Sequence, residues 1–171
     1  MKNHAFTLIE LLIAILIIGI LAAIAFPKYQ LALDKTKYSR AMTLLAEINS
    51  AQQRYQLANN KRTDSLYDLD IDLPPSGKIS QDGSSYSDTW GSCLLHNTGY
   101  GSCIIGVGGS SSVWYFLRWD SEYFSSTKRQ CRVTPKDHKR GNRLCQAMTG
   151  QTSGTENGQY MIYYFPRAKS V

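Results

Sequence analysis

The chain has 171 residues, which is enough for one modest globular core but leaves no room for a second domain beside an apolar N-terminal segment. Its formal net charge of +6 permits an anionic partner without requiring one. The sequence contains four cysteines, which predict two disulfide bonds in an oxidising compartment. These cysteines form no Cys-x-x-Cys pair and the three histidines are scattered, so the sequence predicts no metal site and no cofactor.

An apolar run, FTLIELLIAILIIGILAAIAF, occupies residues 6–26 behind the short leader MKNHA of residues 1–5. The run exceeds the roughly 18 apolar residues that indicate a membrane-spanning helix. Lys2 in the leader places the inner end of the span on the cytoplasmic side. The alternative is a secretory signal peptide cleaved after Ala25, but the run is longer than the roughly 7–15 residues of such peptides and is charged near its start.

The segment FTLIELLIAILIIGILAAIAFPKYQ behind a short basic leader resembles the N-terminus of type IV pilins and pseudopilins. This resemblance implies that a prepilin peptidase cuts between Ala5 and Phe6 and methylates the new amine of Phe6. The family usually has glycine before the cut, where this chain has Ala5. The resemblance also implies an inner-membrane precursor, an assembly platform, and a filament made of copies of the chain and other pilins.

Glu10 is the one formal charge in the apolar run, and a charge in hydrocarbon costs about 3 kcal/mol. A mature Phe6 would carry a cationic amine four residues earlier, so the two charges could pair within one helix or, as the resemblance implies, between staggered subunits. The spacing Thr7-x-x-Glu10 also fits a capping box. These interpretations are compatible, and the sequence predicts an assembly role for Glu10 and Thr7.

Gly19 and Pro27 are the residues of the helix that weaken it most. Glycine costs about 1 kcal/mol relative to alanine, and proline removes one backbone hydrogen bond. The sequence therefore predicts a bend or local melting between Gly19 and Pro27. The resemblance implies that this region extends within a filament, and a passive kink at the membrane boundary is the alternative.

Beyond Pro27 the pattern becomes amphipathic and predicts that the same helix continues to about Asn59 or Asn60 and packs on a sheet. The predicted inward stripe is Tyr38, Ala41, Met42, Leu45, Ile48, Ala51, Gln52 and Tyr55. The predicted polar positions are Lys35, Lys37, Arg40, Glu47 and Arg54.

The rest of the chain predicts an antiparallel sheet. Residues 63–73 indicate a short helical turn and a loop, and residues 77–90 indicate an exposed connection. Aromatic and β-branched runs at 92–96, 101–107, 112–119 and 159–165 predict about four strands. The expected fold is α+β and type IV pilin-like, with a leader (1–5), a membrane or filament-core half-helix (6–27) and a globular domain (28–171).

The four cysteines allow three pairings. Pairing of neighbours, Cys93 with Cys103 and Cys131 with Cys145, closes the shortest loops and is the favoured prediction. The resemblance implies that the second bridge bounds the C-terminal loop found in many pilins.

A basic cluster lies in and beside that loop, and it predicts possible binding of DNA or another polyanion. The alternatives are a solvated loop and a loop that meets acidic residues of an adjacent subunit, such as Asp68, Asp70 and Asp72. The cluster is Lys128, Arg129, Arg132, Lys136, Lys139, Arg140 and Arg143.

No catalytic motif such as Gly-x-Ser-x-Gly or His-Glu-x-x-His occurs in the sequence, so the chain is predicted not to be an enzyme. The alternative to this prediction is an enzyme that is held at the membrane by a signal anchor. The resemblance implies a structural pilus subunit, anchored in the inner membrane by a single pass before assembly and found in a surface or periplasmic filament afterwards. A DNA-binding minor pilin and a pseudopilin of a type II secretion system are the alternative functions.

Overall fold

The structure is a computed structural model that describes residues 7–96, 100–108, 111–118 and 129–166. The chain divides into two compact units, Met1–Leu33 and Asp34–Val171. A single helix, α1 (Leu8–Asn59), begins in the first unit and ends in the second.

In the first unit, α1 is helical through both Gly19 and Pro27. The predicted local melting is therefore absent from the single chain, because one proline removes only one hydrogen bond from a helix of 52 residues. Extension of this region within an assembly stays a prediction. By length and composition, this apolar half of α1 is able to cross a membrane.

The second unit contains an antiparallel sheet of eight strands in the order β1-β2-β3-β4-β5-β6-β8-β7. A short 3₁₀ helix (Leu66–Asp68) precedes the sheet, as the sequence predicts, and helix α2 (Lys139–Thr149) lies between β6 and β7. The strands are β1 (Lys78–Ile79), β2 (Ser85–Asp88), β3 (Gly91–His96), β4 (Tyr100–Gly106), β5 (Ser112–Arg118), β6 (Gln130–Thr134), β7 (Thr155–Asn157) and β8 (Tyr160–Tyr164).

The α+β fold is confirmed, but the predicted strand number is too low. The four predicted strands correspond to β3, β4, β5 and β8, while Trp119, predicted to end the third of them, lies outside the described residues. Strands β1 and β2 occupy the stretch predicted as an exposed connection. Their composition does not indicate strands, because β1 has only two residues and β2, with the sequence Ser-Tyr-Ser-Asp, buries only Tyr86.

The second half of α1 packs on the sheet through the predicted stripe. Tyr38 is fully buried, and its ring centroid lies 5.6 Å from that of Tyr115 on β5 in an edge-to-face arrangement. The Cys103 Sγ atom lies 3.6 Å from the carbonyl oxygen of Ala41. Six of the eight predicted inward residues are buried, whereas Met42 and Tyr55 are half-buried.

Helix α2 replaces the loop that the sequence predicts between the last two cysteines. Its N-cap is His138, whose Nδ1 atom accepts a hydrogen bond from the Gly141 backbone N–H at 3.1 Å. Gly150 ends the helix with a φ of 75°, a conformation that glycine adopts without strain. A Cβ atom at Gly141 would lie 2.6 Å from Val133 Cγ1, so only glycine lets α2 approach β6 this closely.

Candidate functional site

The start of α1 carries the predicted capping box. The Thr7 backbone N–H and hydroxyl donate to Glu10 Oε2 at 2.9 and 2.6 Å, and the Glu10 N–H donates to Thr7 Oγ1 at 3.3 Å. Ala5 and Phe6 lie outside the described residues. The pairing of Glu10 with a Phe6 amine therefore stays a prediction, while the capping interpretation is confirmed.

Behind this cap, all residues from Thr7 to Tyr29 are exposed in the single chain. Leu8 is 87% exposed and Phe26 is 60% exposed. A continuous apolar surface of this length is covered by lipid or by another protein in a functional state. This exposed half of α1 is the candidate association surface.

A buried ion pair joins α1 to α2. The Asp34 side chain is fully buried, and its two carboxylate oxygens accept hydrogen bonds from Arg140 Nε at 2.6 Å and Nη2 at 2.9 Å. This is the bidentate geometry in which arginine binds carboxylates most strongly. Arg140 was predicted as part of a possible polyanion-binding cluster. Its guanidinium group faces Asp34 instead of standing free, and binding of a polyanion by the cluster stays a prediction.

Asp34 is a structural residue that was not among the residues predicted from the sequence. Asp34 lies four residues before Tyr38, on the stripe of α1 that packs on the sheet. A carboxylate on a buried stripe needs a partner, so this position was the signal that an arginine elsewhere in the chain had to reach it.

Three of the other predicted cations have contacts of their own. Arg129 lies over the Phe165 ring, 5.5 Å from its centroid, and Lys136 forms an ion pair with Glu156 at 2.5 Å. Arg132 donates two hydrogen bonds to Gln130 Oε1. Lys128 lies outside the described residues.

Lys139 and Arg143 are the members of the cluster that remain exposed without an ion-pair partner among the described residues. They are four residues apart on α2 and therefore lie on the same helix face. This pair is a much smaller cationic surface than the predicted loop.

The described cysteines form the two bonds that the neighbour pairing predicts. Cys93 and Cys103 are directly opposed on β3 and β4, and Cys131 on β6 is joined to Cys145 on α2. All four residues are buried. The second bond fixes α2, the helix that carries Arg140, to β6 of the sheet.

Replacing Cys131 and Cys145 together with serine is expected to lower the free energy of unfolding by about 3 kcal/mol, because a bond that closes a short loop restricts the unfolded chain. Denaturant unfolding of the full chain in a mild detergent measures the change. Wild-type protein with both disulfides reduced should be at least as unstable as this variant. A loss below about 1 kcal/mol would show that α2 is held by packing alone.

The fold and this surface define a class of protein: an α+β domain attached to a helix whose apolar half is exposed for association. The family described as "Prokaryotic N-terminal methylation motif" matches residues 1–26. No solved structure matches the chain.

The chain is also similar to type IV major pilins. It is 42% identical over 103 residues to the major fimbrial protein FimA of Dichelobacter nodosus, covering 60% of this chain and 61% of that one. It is 41% identical over 74 residues to PilE1 of Neisseria gonorrhoeae, covering 43% of this chain and 45% of that one. It is 34% identical over 96 residues to PilA of Myxococcus xanthus, covering 56% of this chain and 42% of that one.

The chain thus spans less than two thirds of the length of these curated relatives. The methylation motif and these relatives agree in supporting a similarity to type IV pilins. These relatives are named as pilins and a fimbrial protein, and none of these names is that of an enzyme.

Proposed function

We propose that the chain is a structural subunit of a type IV pilus or a pilus-like filament. The observation that carries the proposal is the exposed apolar half of α1, which begins at the capping box of Thr7 and Glu10 and lies within the methylation motif. The relatives are named as major pilins and fimbrial proteins, which supports the same function.

In this proposal the precursor is anchored in the inner membrane by the apolar half of α1, with its leader in the cytoplasm. A prepilin peptidase cuts between Ala5 and Phe6 and methylates Phe6. The assembly platform then transfers the helix from lipid to a filament core made of copies of the chain or of other pilins. Apolar side chains stay out of water in both states, so the transfer does not have to overcome the cost of hydrating them.

The two alternative functions have less support. A minor pilin that binds DNA would use the basic cluster, but Arg140 faces Asp34 and Lys136 pairs with Glu156. A type II secretion pseudopilin shares the N-terminal motif with pilins. Surface fibres that contain the chain would separate a pilus subunit from a pseudopilin, whose filament stays in the periplasm.

Mass spectrometry of the mature N-terminus tests the processing step. We expect methylated Phe6 in cells that contain the prepilin peptidase and intact Met1 in cells that lack it. A mature start at Phe26 would contradict the proposal, because it would show that the helix is removed as a signal peptide.

Ala5→Gly supplies the residue usual before the cut and is expected to increase the processed fraction of newly made chains. The physical reason is that the peptidase must bind the backbone closely at the cut, and glycine has no Cβ atom there. A pulse-chase measurement of precursor and mature chain checks the rate. The bulkier Ala5→Val serves as the opposite control, and equal processing of all three chains would contradict a contact at this residue.

A further inference from the structure

Four cations follow the apolar run of α1, on the side of the run that leads into the second unit. They are Lys28, Lys35, Lys37 and Arg40. All of them fall within the roughly 15–20 residues beside a span that bias its orientation, whereas the leader on the other side contains only Lys2. Such cations normally favour the cytoplasmic side, but the two disulfides place the second unit in an oxidising compartment. These cations oppose the expected insertion, which indicates that they have another role.

The acid that accompanies these cations is withdrawn from the surface. Asp34 is the one acidic residue among residues 27–40, and its carboxylate is fully buried and bound to Arg140 on α2. Lys35 is exposed and Lys37 is half-buried, and neither forms an ion pair among the described residues. The start of the second unit is consequently a cationic surface.

Helix α2 brings a third lysine to the same end of the second unit. Because Arg140 binds Asp34, it ties the first turn of α2 to the turn of α1 that carries Lys35 and Lys37. Lys139 is exposed at the first position of α2, in a turn that contains no acidic residue. A cation is unfavourable there, because the N-terminal end of a helix dipole is positive. The bond to Asp34 explains Arg140, whereas Lys139 has no ion-pair partner among the described residues.

The acids close to these cations decide which of them are available to a ligand. Arg40 lines a groove together with Glu47 and Asp88, so these two acids offset its charge. Asp137 is exposed in the turn before α2 and is a single acid beside the lysines. The surface that remains cationic, which we name the entry patch, consists of Lys35, Lys37 and Lys139.

The entry patch lies within reach of the membrane that holds the apolar run. The nine residues from Phe26 to Lys35 are helical and rise by about 14 Å. Lipid headgroups occupy roughly the first 5–8 Å beyond the hydrocarbon on each side. The remaining gap is close to the Debye length of about 8 Å at physiological salt, and a long lysine side chain shortens it further.

We propose that the entry patch binds the anionic phospholipid headgroups of the membrane in which the chain is anchored, with phosphatidylglycerol as the lipid class. This inference rests on the proposed function, because it needs the apolar half of α1 to be a membrane anchor. Before assembly, the lipid contact holds the second unit against the membrane surface. Transfer of α1 into a filament removes the patch from the lipid, so each subunit gives up this contact when it is assembled.

A lipid surface suits three cations better than a ligand in solution does. The anchor keeps the patch beside the headgroups, so the contact is intramolecular in effect and needs little intrinsic affinity. Duplex DNA has no such tether, and its binding through three phosphate contacts weakens steeply with salt. The number of cations therefore favours the membrane as the partner.

Energy transfer from tryptophan to dansyl-labelled lipid measures this contact in the full chain, reconstituted in vesicles. All three tryptophans, Trp90, Trp114 and Trp119, follow α1 in the sequence, so the signal comes from the second unit. We expect stronger transfer in vesicles of mixed phosphatidylglycerol and phosphatidylcholine than in vesicles of phosphatidylcholine alone. High salt should abolish the difference, because it screens the charges.

Removal of the three charges tests the residues. K35Q/K37Q/K139Q is expected to lower the ratio of docked to undocked units about 100-fold, because each lysine near an anionic surface contributes a factor of about five. K35R/K37R/K139R keeps the charges and should behave as wild type. The matched control Q53E/K61E makes the same change in net charge at two exposed positions near and beyond the far end of α1. It should keep the difference between the two kinds of vesicle.

Thermal unfolding of each full chain identifies variants that fail to fold. If the triple variant is one of them, K35Q/K139Q, which changes only exposed lysines, takes its place and should lower the same ratio about 25-fold. Equal transfer of wild type in the two kinds of vesicle would overturn the proposal. An equal loss in the lysine variant and in Q53E/K61E would overturn it as well.

Two further outcomes separate the lipid contact from its alternatives. If the triple variant keeps the effect of phosphatidylglycerol but loses binding to duplex DNA in a gel-shift assay, the patch is a nucleic-acid site and the lipid contact is wrong. If alkaline carbonate strips wild type from the vesicles, α1 is not an anchor and the proposed function fails with the inference. Retention of wild type in carbonate without lipid-dependent transfer would overturn only the lipid contact.

Discussion

Replacing Arg140 with alanine is expected to lower the free energy of unfolding of the full chain by about 3–5 kcal/mol. The substitution leaves the carboxylate of Asp34 fully buried without the two hydrogen bonds that it accepts from Arg140. A buried charge without a partner is among the most destabilising defects in a folded protein. Denaturant unfolding in a mild detergent, followed by circular dichroism, measures the loss.

The matched control is Arg143→Ala, which removes the same type of side chain from an exposed position one turn along α2. Its effect should stay within about 0.5 kcal/mol. Arg140→Lys keeps the charge but loses the bidentate geometry and should lie between the two. Equal losses for Arg140→Ala and Arg143→Ala would contradict the role of the ion pair.

A second substitution separates the buried charge from the packing of the two helices. In the double variant D34L/R140M both charges are replaced by apolar side chains, so no buried carboxylate remains. This variant should be more stable than Arg140→Ala alone, because replacing a whole buried ion pair is often close to neutral. If it is equally unstable, the loss comes from disturbed packing at Asp34.

Periodicity and spacing predicted the parts of the fold that depend on local sequence. The stripe from Tyr38 to Gln52 repeats at helical spacing and is buried as expected. The bonds between neighbouring cysteines follow from short loops, which cost the chain the least entropy to close. The capping box could also be predicted, because it is a local motif of four residues.

The missed features depend on contacts between distant parts of the chain. Asp34 and Arg140 are 106 residues apart, and no local pattern indicates that they meet. The edge strands β1 and β7 have two and three residues and lack an alternating apolar pattern. Their structure comes from pairing with β2 and β8 rather than from their own composition.

Helix α2 could have been predicted in part from the sequence. Its buried residues follow helical spacing, and they are Gly141, Leu144, Cys145 and Thr149. However, Gly141 lowers the helix propensity, and the three cations of the helix favoured the prediction of a solvated loop. The predicted polyanion-binding cluster rested on the same assumption that these cations face solvent. One of them, Arg140, is the partner of a buried acid.

At the other end of the chain, Glu10→Gln is expected to reduce filament yield by roughly 100-fold or more, since the loss of one partner from a desolvated charge pair costs about 3–5 kcal/mol. Glutamine is also accepted at the third position of a capping box, so the variant keeps the hydrogen bonds with Thr7 while it removes the charge. Sheared filament yield, with mass spectrometry of Phe6 to confirm processing, measures the effect.

Thr7→Val provides the reciprocal control, because it removes the hydroxyl of the cap and keeps the carboxylate of Glu10. Loss of the cap should cost about 0.5–2 kcal/mol and leave most of the filaments. If Glu10→Gln fails to assemble while Thr7→Val succeeds, the charge of Glu10 is what assembly requires, as pairing with a Phe6 amine predicts. If Glu10→Gln assembles as well as wild type while Thr7→Val loses filaments, the capping box alone explains why an acid occupies this position in an apolar helix.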